Sequence, residues 1–339
     1  MNFIKLIFLL LGLVLLALVV GEIELSQVVE QVKTVGWGMA VIVGIYFLAF
    51  LIDSFTWQMA LIQVPLNAVW TYRTWKVRMV GEVFNNVVPA GGFGGEPLKA
   101  VLLKRYYGVG YREGTASLIL AKTINLLSLL IFLACGFALM AGSGQLPASF
   151  KMTAGAGLSA MVFGIVLFFL VQRLKVSSIT GAWISRFGFA KKADDVLHHI
   201  QDMDERLVRF YTLYKTRFAG AIGLAFVNWL LGAVEIYYAM MLLGRPMSFA
   251  DCWIIEAAAQ LVRAGAFFIP AGIGVQEGTF LLLYSAMTGS PVLGVSMAVI
   301  RRLREIIWIM WGLGLGAMFT FKPAHQEGEE EKTEGGEGG

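Results

Sequence analysis

The chain reads as an all-α polytopic membrane protein, with about six full transmembrane helices and two oppositely oriented re-entrant hairpins of broken helix. Three observations predict this class. Of 339 residues, 58% are hydrophobic and only 15% charged, with a mean hydropathy of +0.72; a soluble domain could not hide that much apolar surface. Apolar runs of roughly 20 residues, the length that crosses a bilayer, recur along the chain. One short stretch also occurs twice, as Pro89-Ala90-Gly91-Gly92-Phe93-Gly94-Gly95-Glu96 and as Pro270-Ala271-Gly272-Ile273-Gly274-Val275-Gln276-Glu277. Both copies begin Pro-Ala-Gly and place a glutamate seven positions after the proline, between apolar segments.

Proline removes an amide donor and glycine is poor in helix interiors, so each copy interrupts a helix at Pro89, Gly91, Gly94 and Gly95 or at Pro270, Gly272 and Gly274. Inside hydrocarbon, such a break is tolerated only where it is buried in protein or lines a polar cavity. Paired interruptions in corresponding places of two halves point to a transporter's binding site. A pair of glycine-containing interhelical turns is the plainer alternative.

Taken in order, residues 3–20 form an apolar run behind Lys5 and read as a retained first span rather than a cleaved leader. In the following loop Glu22, Glu24 and Glu30 outnumber Lys33, so the loop faces away from the cytoplasm. Residues 37–62 cross back and carry Asp53. From 69 to 80, Arg73, Lys76 and Arg78 interleave with Trp70, Tyr72 and Trp75, as in a helix at a cytoplasmic interface. The stretch runs through Asn85 to the first break, and a short helix from Glu96 to Tyr107 carries Lys99, Lys104 and Arg105. Basic residues on both sides predict a hairpin over about 69–107 that enters and leaves on the cytoplasmic side.

Spans follow at about 115–140 and 153–171. Lys122, Asn125 and Ser128 share one face of the first. Residues 173–217 hold nine Lys/Arg against five Asp/Glu and read as a cytoplasmic amphipathic segment. The span at 219–243 carries Asn228 and Glu235 on one face. Three spans between the breaks make the second hairpin, about 251–286, enter from the outer side, with Glu256, Gln260 and Arg263 in one polar stripe. A final span at 292–319 contains Arg301, Arg302, Arg304 and Glu305. The whole is one transmembrane domain over 1–321. The glutamate- and glycine-rich tail, 322–339, has nothing to form a core and is expected to be disordered, with both termini cytoplasmic.

Charge at membrane depth is costly, so it faces the protein interior and has a partner or a task. Ten such groups exceed what a packed bundle needs; pairing of Glu256 with Arg263, or of Arg301 with Glu305, is the purely structural reading. Arg263, Arg301 and Arg304 with Lys99 are the candidate contacts for a headgroup phosphate. Asn85, Glu96 and Glu277 are further binding candidates, the two glutamates also serving to cap the restarted helices. Asp53 and Glu235 are candidate proton carriers. Cys135 and Cys252 pair with no pattern, and His198, His199 and His325 have no metal constellation. No catalytic arrangement, phosphate loop or nucleic-acid signature is present, and no cofactor or metal is expected.

The residues from Gly81 to Lys99, GEVFNNVVPAGGFGGEPLK, and from Phe268 to Gly278, FIPAGIGVQEG, resemble the two signatures of the flippase-like membrane family, UPF0104-type, which includes the transmembrane region of lysylphosphatidylglycerol synthetases. The resemblance covers about residues 3–320. It implies a prokaryotic inner-membrane protein that moves or binds a lipid: an anionic phospholipid, an aminoacylated phospholipid, a hopanoid or a lipid-linked sugar. The family's bifunctional members add a soluble aminoacyl-transferase domain. The residues after 321 are too few for one, so synthesis of lysyl-lipid by this chain is not expected. The leading reading is a lipid translocase or lipid-binding transporter. A membrane-embedded headgroup transferase using Glu96 or Glu277 as base, and an accessory scaffold for a lipid-modifying synthase, are the alternatives. A synthase and a second copy of the chain are the candidate protein partners; nucleic acid is not.

Overall fold

The computed structural model describes residues 25–87, 94–144, 146–173, 210–266, 269 and 274–321. Expectations for the first span at 3–20, for most of the 173–217 segment, for Pro89, Gly91, Pro270 and Gly272, and for the tail fall outside them. The described residues are helical, without a strand. The elements run α1 Leu25–Val35, α2 Gly38–Ala60, α3 Ala68–Val87, α4 Glu96–Tyr107, α5 Tyr111–Gly142, α6 Ala148–Arg173, α7 Lys215–Leu242, α8 Phe249–Gly265, α9 Val275–Thr288 and α10 Pro291–Phe321. Among the described residues α2, α5, the Ala148–Leu167 part of α6 and α7 are long and apolar enough to cross a membrane. Helix α10 has the length, but the charges of its Arg301–Glu305 turn set it apart.

Helix α1 lies where an outer loop was expected. Leu25, Val28, Val29, Val32 and Val35 recur at helical spacing, a face that the acidic charge balance obscured. Val28 and Val35 are buried. The Ser296 hydroxyl of α10 donates to the Gln31 side chain at 2.8 Å.

Helices α2 and α7 form the spine. Gly38 faces Leu242 at one end and Gly220 faces Met59 at the other, so the two helices lie antiparallel. Helices α3 and α4 fold back on one another. The Arg73 guanidinium sits between the Trp70 and Tyr107 rings at their open end, 4.8 Å and 5.2 Å from the centroids. At the other end Gly95 abuts the Gly81 backbone. Helices α8 and α9 also pack together, burying Cys252, Ile255, Phe280 and Tyr284 in one cluster. Each pair then leans on a long helix from the other half of the chain. Gly136 of α5 lets Ala257 and Trp253 of α8 approach, and Gly312 of α10 does the same for Met79 and Val83 of α3.

Small residues at these crossings let helix backbones meet where lipid offers no competing hydrophobic drive. The tightest contact is within the first hairpin, where a methyl group on residue 95 would overlap the Gly81 carbonyl. Gly95→Ala is therefore expected to lower the melting temperature of the detergent-purified protein by several degrees, the equivalent of about 1–3 kcal/mol. Gly223→Ala, with open space at that position, is the control and leaves melting unchanged.

Candidate functional site: a charged cavity at the centre of the helices

A cavity of about 490 Å³ lies at the centre of the helices, walled by α2, α3, α4, α5, α7, α8 and α10. Its volume falls in the range of small-molecule sites. Its lining differs from most such sites, because it carries six carboxylates, Asp53, Glu82, Glu96, Glu235, Glu256 and Glu305, and six cations, Arg78, Lys99, Lys122, Arg263, Arg301 and Arg304.

In the first half of the chain, the Asp53 carboxylate of α2 pairs with Arg78 of α3, and the Asn125 amide of α5 donates to it at 2.9 Å. Helix α4 restarts at Glu96 with its N-terminal end tied down: the Gly95 amide donates to the Asn85 side-chain oxygen at 2.7 Å. Glu96 receives Lys99 at 2.9 Å and Lys122 at 3.1 Å. The Asn85 amide donates to Glu82 at 3.2 Å. Arg78, grouped by sequence with the interfacial cations, belongs instead to the cavity. Its spacing of four from Glu82, directly before the break, was the available signal.

In the second half, Arg301 of α10 pairs with Glu256 of α8 and lies 3.7 Å from Glu235 of α7. Arg304 pairs with Glu235 and stacks 3.8 Å over the Tyr46 ring of α2. Gln260 donates to Glu256 at 2.7 Å. The pairs expected along one helix, Glu256 with Arg263 and Arg301 with Glu305, are thus replaced by pairs between helices.

Glu277 stands apart from the other sequence-derived candidates. It does not line the cavity. One of its oxygens accepts the Gly274 amide at 2.9 Å, capping α9, and the other accepts Arg302 at 2.7 Å. Gly274 adopts φ +81°, a left-handed conformation open to glycine, and this turns the chain into α9. Asn85, Glu96, Lys99, Arg263, Arg301, Arg304, Asp53 and Glu235 all line the cavity, with Tyr46, Glu82 and Asn228, which the sequence had not marked as binding residues.

Arg263, near the end of α8, is exposed to the cavity. Among the described residues it is the one lining cation without a carboxylate partner. Trp229 Nε1, Arg78 Nε and Glu96 Oε2 are buried at the lining without a hydrogen-bond partner. No group of His, Cys, Asp and Glu among the described residues could hold a metal ion.

The paired charges stand or fall together. Asp53→Ala is expected to destabilise the protein by about 3 kcal/mol, because it strands the Arg78 charge away from water. Asp53→Ala with Arg78→Leu removes both charges and should recover most of that loss, read as melting temperature in one detergent.

Residues 3–314 match the family model described as the lysylphosphatidylglycerol synthase TM region. A UPF0104 membrane protein of Methanothermobacter thermautotrophicus is 23% identical over 334 residues, covering 93% of this chain and 95% of that protein. Another, from Pyrococcus horikoshii, is 23% identical over 257 residues, covering 69% of this chain and 72% of its own. No solved structure matches the chain. With the match running from the first apolar segment through the Arg301–Glu305 turn of α10, the chain belongs to a UPF0104-type membrane-protein family related to the lysylphosphatidylglycerol synthase TM region.

Proposed function

We propose that the protein carries the headgroup of a membrane lipid across the hydrocarbon through the central cavity, while the lipid tails stay in the bilayer. The observation that carries this reading is the cavity itself, a charge-lined space shared between two halves of a predominantly apolar chain. An internal polar cavity at membrane depth marks a substrate or ion pathway. The family's link to a lipid-modifying synthase supports a lipid as the cargo.

The two halves form an inverted repeat in this reading. Asp53 and Glu235 stand 182 residues apart, Pro89 and Pro270 181, and Glu96 and Glu277 181. Helix α7 is therefore the counterpart of α2, and the antiparallel packing of this pair is what a twofold axis in the membrane plane requires. The α5–α8 and α10–α3 glycine contacts are counterparts too. Five spans among the described residues, α2, α5, α6, α7 and α10, and two re-entrant hairpins, α3–α4 and α8–α9, fit that arrangement; the sixth expected span, 3–20, lies outside those residues. Translocation proceeds by rocking one half on the other about the α2–α7 spine. Asp53 and Glu235, each held by an arginine, would release that arginine on protonation and so couple protons to the motion.

The open end of α3–α4 collects Arg73, Lys76, Lys104 and Arg105, with Arg112, Lys215 and Arg217 on neighbouring helix starts and Glu113 as the one acid there among the described residues. The opposite end has Lys33, Lys151 and Arg245 against Glu30 and Asp251. The basic end is cytoplasmic by the positive-inside rule. Single cysteines at positions 105 and 151 of an otherwise cysteine-free protein should label with an impermeant maleimide from opposite faces of sealed vesicles; labelling from one face removes the topology.

Reconstituted in liposomes with a reporter phospholipid in one leaflet, the protein should exchange it between leaflets faster than protein-free vesicles do, with the lipid chemically unchanged. Exchange no faster than in empty vesicles sinks the translocase. A new lipid species would make the protein a headgroup transferase instead.

A further inference from the structure

We infer that the cavity selects a singly charged phosphodiester headgroup whose remaining part is polar and uncharged, and that it rejects headgroups bearing a second phosphate or an ammonium. This deepens the proposed lipid role and rests on it for the lipid nature of the ligand, but the charge count stands on the site's geometry alone.

The inference comes from counting which lining charges are already spent. Arg78 is held by Asp53, Arg301 by Glu256 and Arg304 by Glu235, while Lys99 and Lys122 share Glu96 with the Glu82 charge beside them. Arg263 alone among the described lining cations has no carboxylate partner and is exposed to the space. An unpaired guanidinium at membrane depth is costly, and its planar fork matches two oxygens of one phosphate. One free cation meets one negative charge. A second phosphate would have to displace a carboxylate from one of these pairs, which leaves that carboxylate unpaired.

The same accounting applies to cations on the ligand. Asp53, Glu96, Glu235 and Glu256 are taken by the pairs above, Glu82 accepts the Asn85 amide at 3.2 Å among the Lys99, Arg78 and Lys122 charges, and Glu305 faces Arg302 at 2.9 Å and Arg304 at 3.9 Å. An ammonium would therefore enter with no carboxylate to receive it and with Arg263 repelling it. Uncharged hydroxyls fare better, since Asn228 and Tyr46, two uncharged polar residues, line the same space. A diester of glycerol or of a sugar fits; a diphosphate-linked or amine-bearing headgroup does not.

The test is binding to the detergent-purified full chain, read by displacement of a fluorescent phosphatidylglycerol. The competitors are phosphatidylglycerol, phosphatidylethanolamine, a polyprenyl diphosphate and soluble glycerophosphoglycerol. Phosphatidylglycerol should compete about tenfold better than the zwitterionic lipid and the diphosphate. Arg263→Gln should erase that preference and Arg263→Lys keep part of it. Because Arg263 has no partner to strand, Arg263→Gln should melt like the parent protein, whereas Arg301→Gln should not. Equal or tighter binding of the diphosphate or of phosphatidylethanolamine, or a preference that survives Arg263→Gln, overturns the inference. Glycerophosphoglycerol competing as well as its lipid makes the site one for free anions and overturns the lipid assignment. The assay has no leaflets, so selectivity without exchange in liposomes refutes translocation and leaves the ligand class standing; exchange without selectivity does the reverse.

Discussion

Charge inside hydrocarbon must be neutralised within the protein, and the rest of this structure follows from how that is done. Five of the six lining cations are matched to carboxylates, four of them across helix boundaries: α2 to α3 through Asp53 and Arg78, α4 to α5 through Glu96 and Lys122, α8 to α10 through Glu256 and Arg301, α7 to α10 through Glu235 and Arg304. In water such pairs would contribute little. Away from water, losing one partner is severe, so each pair ties its helices together as a unit. The consequence is a cavity that stays polar without being a field of loose charge. Arg263 stands out against that background because every described neighbour of its kind is already engaged.

The broken helices obey the same rule with backbone groups in place of side-chain charges. The start of any helix exposes amides with no intrahelical acceptor. At α4 the acceptor is Asn85, from the last turns of the preceding helix; at α9 it is Glu277, from its own first turn. The two halves solve one problem differently, and the difference moves Glu277 away from the cavity while Glu96 remains on its wall. The two helix pairs are therefore alike in arrangement more than in side-chain chemistry. The glycine crossings agree with this, since Gly136 and Gly312 occupy comparable places on α5 and α10 yet admit different partners.

Much of the fold was legible without coordinates. Described helices α2, α5, α6, α7 and α10 lie within a few residues of the expected spans, and α4 begins at Glu96 as the Pro-Gly pattern predicts. Apolar run length and helix breakers are local properties, and the bilayer leaves few other ways to satisfy a backbone. Helix α1 was missed because its short amphipathic face was read through its charges alone. In the cavity, residue types and depth were legible, which is why Asp53, Lys99, Glu235, Arg263, Arg301 and Arg304 could be named in advance.

Residue order alone determined that this protein belongs in a membrane, where its helices run and where two of them break, because those outcomes depend on stretches of chain shorter than a bilayer is thick. Which carboxylate meets which arginine was decided only in three dimensions. Arg301 lies four residues from Glu305 yet pairs with Glu256, 45 positions away, and Glu235 reaches Arg304 across 69. Such choices depend on how helices from distant parts of the chain face one another, and no local pattern encodes that facing. That Arg263 has no carboxylate partner among the described residues is settled in the same way, as what remains when the other described partners have been assigned.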